Sequence, residues 1–104
     1  EVIKGIRRVK RLKSLPHSTA VKKLGITCRY PGTFDSSIHA IITAKSYSSA
    51  ILKTIRAGGC NCSRSNFIGS YFSALNGVSD IPEKWILKCV HSKNILKKVR
   101  TTYL

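Results

Sequence analysis

Apolar residues in this chain recur at spacings of three and four, in segments separated by glycine and proline stops, and that rhythm confines it to helical architectures. Val2, Ile3, Ile6, Val9, Leu12 and Leu15 stand about three apart with basic residues between them. They predict a cationic amphipathic helix ending near Ser14-Leu15-Pro16. A short helix over 18–24 stops at Gly25, and Pro31-Gly32 marks residues 28–33 as a loop. A mostly apolar helix is expected from Phe34 to about Lys45, and another from about Ser48 to Ala57, broken by Gly58-Gly59. The helix opening at Cys62 or Ser63 and closing at Asn76-Gly77 is rich in small residues, which predicts a place deep in a bundle. A further helix begins at Asp80-Ile81-Pro82-Glu83, with Trp85, Ile86 and Cys89 facing inward. The tail from Lys93 reads as a basic amphipathic helix or a frayed end. The fold class is all-α.

Length and charge narrow the function. The 104 residues suffice for one domain, and no Ser/Gly linker or repeat divides them. Only four carboxylate residues are present, so chemistry built on several Asp or Glu side chains is nearly excluded. The net charge of +15 is concentrated at the ends. Lys4, Arg7, Arg8, Lys10, Arg11, Lys13, Lys22 and Lys23 crowd residues 1–24, and Lys93, Lys97, Lys98 and Arg100 crowd the tail. Polyanions, nucleic acid or anionic lipid, are therefore expected partners of the ends, set against the plainer reading of solvated helix faces. No apolar run is long enough for a transmembrane helix, and no signal-peptide core follows Glu1. The chain is expected to be a fragment or processed product in an intracellular setting with reduced thiols.

Cys60-Asn61-Cys62 forms C-x-C, and Cys89 with His91 forms C-x-H. Zinc accepts such donors, but structural sites favour C-x2–4-C, so ordinary buried thiols are the preferred reading. His39, inside an apolar helix, reads as a core or pocket-wall histidine rather than a general base. Tyr30 and Phe34 could stack on a nucleotide or anchor the loop. Gly58-Gly59 could present helix amides to an anion, with Arg64 adding a charged contact, or merely end one helix and let the next pack closely.

Several segments then follow one another in a recognisable order. They are Leu24-Gly25-Ile26-Thr27-Cys28, Tyr30-Pro31-Gly32-Thr33-Phe34-Asp35, Ala57-Gly58-Gly59-Cys60-Asn61-Cys62-Ser63-Arg64 and Ile81-Pro82-Glu83-Lys84-Trp85. Over about residues 18–89 the chain resembles the C-terminal part of the ADP-ribosylglycohydrolase family, in its crystallin J1-like branch. The resemblance implies an orthogonal helical bundle, of which residues 1–104 would form one partial domain with basic helical flanks at 1–17 and 90–104. It implies hydrolysis of glycosidic bonds to ADP-ribose at a two-magnesium centre, half of it supplied by a Gly-Gly-Asp-x-Asp-Thr/Ser motif. Gly58, Gly59 and Ser63 match that motif, while Cys60 and Cys62 stand where it has Asp. Magnesium wants hard oxygen donors, so retention of magnesium is not expected, nor is independent catalysis. No catalytic residue is assigned. Gly58, Gly59 and Arg64 are the expected substrate contacts, with ADP-ribose or an ADP-ribosylated substrate as partner of the full-length protein. The alternative function is a small basic module for nucleic acid or anionic surfaces.

Overall fold

The computed structural model describes residues 1–103 as helices joined by short connections, with no strand among them. The helices are α1 (Val2–Leu12), α2 (His17–Leu24), α3 (Gly32–Thr43), α4 (Tyr47–Ala57), α5 (Asn61–Asn76), α6 (Glu83–Lys88) and α7 (Ser92–Tyr103). A single 3-10 turn, Val78–Asp80, sits between α5 and α6. Boundaries follow local chemistry. Ser46 caps α4 by accepting a hydrogen bond from the Ser49 backbone N–H. Gly25, Gly58 and Gly77, all at positive φ, close α2, α4 and α5.

Helix α3 is the hub. It packs against α1, α2, α4 and α5, while α4 and α5 pack on each other. Ala40, Ala50, Ile51, Ile68 and Phe72 form the core, with Ile41, Tyr47 and Trp85 packed against it. Alanine at two of these sites lets α3 and α4 approach closely. Helix α1 joins through an ion pair: Arg8 donates from Nε to Asp35 Oδ2 at 2.8 Å and also reaches Glu1 at 2.8 Å. The Glu1 hydrogen bond and the buried Asp35 raise the Arg8 pKa, and that same bond lowers the pKa of Glu1.

Several expectations need correction. Helix α1 ends at Leu12, and residues 13–16 form a turn rather than a last helical turn. Helix α5 buries Arg64, Ile68 and Phe72 along one stripe but leaves Phe67, Tyr71 and Leu75 exposed, so it is a half-covered helix and not a central one. Cys89 does not face inward; it is exposed at the end of α6. Helices α6 and α7 contain no buried residue, although Trp85 of α6 packs against the core. The radius of gyration is 14.6 Å, against about 13 Å for a compact domain of this length. No described helix is long and apolar enough to cross a membrane.

Candidate functional site

The motif-bearing segment lies where α4 ends and α5 begins. Gly58 and Gly59 both have positive φ, 75° and 70°, which turns the chain sharply between the two helices. Gly59 also lies so close to Ile26 that a Cβ would collide with its carbonyl oxygen and Cγ1. The loop after α2 is thus pressed against the turn before α5. Cys60 N–H donates to Ile26 O at 2.9 Å and fixes the two segments together.

Arg64 holds this junction from inside. Its side chain is fully buried, and Nε donates to Thr54 Oγ1 at 2.9 Å. Nη2 donates to Gly58 O, to Asn61 Oδ1 at 3.0 Å and to Thr54 O at 3.3 Å, and Nη1 points to Ile26 O at 3.5 Å. No ion pair among the described residues involves it. Burial lowers its pKa, and nearby Cys60 opposes that shift. The sequence placed Arg64 as a substrate contact; its donors instead face carbonyls of its own scaffold. Asn61, Thr54 and Ile26, which the motif did not flag, are the partners that put it there.

The same Thr54 hydroxyl begins a buried chain of hydrogen bonds. His39 Nε2 lies 3.0 Å from Leu12 O, so it must donate, leaving Nδ1 as acceptor in the neutral ring. His17 Nδ1, 3.0 Å away, then donates to it, and His17 Nε2 accepts from Thr54 Oγ1 at 3.4 Å. Desolvation, followed by the charges of His39, Arg64 and Lys53, pushes the His17 pKa down to about 4. Burial likewise lowers that of His39. His39 is a core histidine, as expected, but its orienting partner is a second histidine. Adjacent residue types could not reveal a pairing across α2 and α3.

The thiols are not small buried groups. Cys28 and Cys62 are exposed and Cys60 is half-buried, all with free thiols. Cys60 Sγ lies 3.2 Å from Ser63 Oγ. The Ser63 hydroxyl and its backbone N–H, aided by the thiols of Cys28 and Cys62, hold the Cys60 pKa below the usual thiol value. Beside this junction Tyr30, Phe34 and Phe67 form an aromatic run with ring centroids 6.2 Å and 5.5 Å apart. Phe67 is the member sequence reasoning missed, one helical turn beyond Arg64.

The family model for ADP-ribosylglycohydrolase matches residues 1–102. The chain belongs to the ADP-ribosylglycohydrolase family. Crystallin J1A of Tripedalia cystophora is 34% identical over 85 residues, covering 82% of this chain and 26% of that protein. Crystallin J1B of the same animal is 29% identical over the same length and with the same coverage. The chain therefore spans about a quarter of these relatives' length. No solved structure matches it significantly.

The residues at the ADP-ribosylglycohydrolase motif do not fit the magnesium that the family resemblance implies. Soft thiols occupy the two acidic positions, and only the Ser63 hydroxyl remains as a hard donor. Asp35 spends Oδ2 on Arg8 while its buried Oδ1 has no hydrogen-bond partner, and Asp80 Oδ2 accepts from Tyr47 N at 3.1 Å and Asn76 Nδ2 at 2.8 Å. Among the described residues no group of three His, Cys, Asp or Glu side chains is arranged to hold a metal ion. What the junction offers is a rigid turn, the α5 N-terminus, a thiol group and an aromatic wall.

Proposed function

We propose that this chain is the C-terminal part of an ADP-ribosylglycohydrolase-like protein, and that its α4–α5 junction binds ADP-ribose without hydrolysing it. Gly58, Cys60 and Asn61 already donate to the carbonyls of Ile55, Ile26 and Gly59, so the diphosphate would meet the remaining backbone N–H groups at the head of α5, where the helix dipole favours an anion. The adenine would lie on Tyr30, Phe34 and Phe67, whose faces can stack on a base. Arg64 contributes by holding the turn, not by touching ligand. The observation carrying this reading is the retained Gly58-Gly59 turn at the head of α5 with thiols in the acidic positions. On this reading the turn is kept for binding, whereas the charge that would hold a hard cation is absent.

Titration calorimetry with ADP-ribose at high salt tests binding, and release of ADP-ribose from a modified protein in the presence of Mg²⁺ tests turnover. Saturable binding that survives salt, without turnover, is the expected result. Turnover by this chain alone would overturn the claim that it lacks hydrolytic chemistry. A second reading rests on α1. Lys4, Arg7 and Arg11 have no ion-pair partner among the described residues, and with Arg8 they line a cleft of about 230 Å³. Binding of a polyanion there would collapse as salt rises, because it depends on counterion release.

A further inference from the structure

The thiols that replace the acidic pattern do not stand alone. Cys60 N–H donates to Ile26 O at 2.9 Å, Gly59 lies directly against Ile26, and Arg64 approaches the same carbonyl. Three independent ties thus pin the loop after α2 to the head of α5. Cys28 sits two residues beyond Ile26 on that pinned loop, with an exposed thiol. Cys62 is the nearer neighbour in sequence but the poorer partner. It lies in the first turn of α5, just after the N-cap Cys60, and a bridge across a single intervening residue departs from relaxed disulfide geometry. Cys89, exposed at the end of α6, belongs to no such junction.

We propose that Cys28 and Cys60 form a thiol–disulfide exchange pair, reacting with low-molecular-weight disulfides at the position where a hard-cation site would require carboxylates. The Cys60 sulfur, its proton released to water, attacks one sulfur of the small disulfide. A Cys60 mixed disulfide forms and one small thiolate leaves. The Cys28 sulfur, also deprotonated, then attacks the Cys60 sulfur; the Cys28–Cys60 bond forms and the second small thiolate departs. Two protein thiols lose two electrons, one small disulfide gains them, and the two released protons end on the two small thiols. The bridge would fasten the loop to α5 covalently. This chemistry is independent of ADP-ribose binding, and its test reads sulfur alone.

The full chain is incubated with oxidised glutathione, the remaining thiols are alkylated, and the bridges are mapped by mass spectrometry without reduction. The expected major product is the Cys28–Cys60 cross-link, with Cys62 and Cys89 alkylated. The same treatment in concentrated urea should abolish that preference, because an unfolded chain favours the pair that closes the shortest loop. Cys28→Ser should trap the Cys60–glutathione mixed disulfide, while Cys89→Ser leaves the bridge unchanged. A different dominant bridge would overturn the proposal. So would purely intermolecular disulfides, or Cys28 and Cys60 modified no faster than Cys89. The wild-type map stands even if a serine variant folds poorly.

Discussion

Thr54 serves two buried side chains with one hydroxyl, accepting from Arg64 and donating to His17. Thr54→Val keeps the shape and removes both contacts, leaving two polar groups buried and unpaired. The expected loss of stability is about 2–3 kcal/mol, measurable as a lower urea midpoint. Arg64→Lys should cost a similar amount, since an ammonium cannot reach the spread of carbonyls that the guanidinium fork spans. The histidines set a pH dependence. His17 has a folded pKa of about 4 against an ordinary value of 6.5, so the unfolded chain binds more protons between those values. Stability is full above that window and is lost as pH falls through it, by roughly 3 kcal/mol from this group. Urea titrations at steps from neutral to acid pH check this, and His17→Gln should flatten the slope.

At the scale of elements, burial separates the helices into two groups. Helices α3, α4 and α5 share the core, whereas α7 has no buried residue. Hydrogen exchange should therefore find the α7 amides exchanging far faster than those of α3, with α6 between them because Trp85 packs on Tyr47 at a centroid distance of 6.2 Å. Equal protection of α7 and α3 would contradict this arrangement. The periodic pattern of α7 was legible, while the choice between a helix and a frayed end was settled only by the structure. What periodicity does not report is whether a neighbour covers the apolar side. Ile95 borders an apolar groove shared with Tyr47, Trp85 and Ile86 yet stays 53% exposed, and Val99 stays 43% exposed. The small residues of α5 misled for the same reason. They permit close approach on several sides, but helices α3 and α4 occupy only one.

For the whole molecule the dominant force is its own charge. A net +15 with only two ion-pair contacts, both through Arg8, leaves most cations without a counter-charge among the described residues. Mutual repulsion opposes compaction, and salt screens it over about 10 Å at roughly 0.1 M. The thermal midpoint should therefore rise as sodium chloride increases from about 0.02 M to about 0.3 M before levelling off. A midpoint indifferent to salt would mean the cations are too far apart to repel.

The sequence by itself determined the all-helical class, the helix order and the glycine turn that marks the family, because periodicity and stop residues act over a few neighbouring positions. It also shows Cys60 and Cys62 in the glycine-turn segment, at the positions where the family resemblance implies carboxylates. Only the tertiary structure decided that Arg64 faces inward, that His39 pairs with His17, and that the loop bearing Cys28 is pinned to the head of α5. Each of those contacts joins residues on different elements, and no local rule of spacing specifies which side chains will share a buried space once the helices pack.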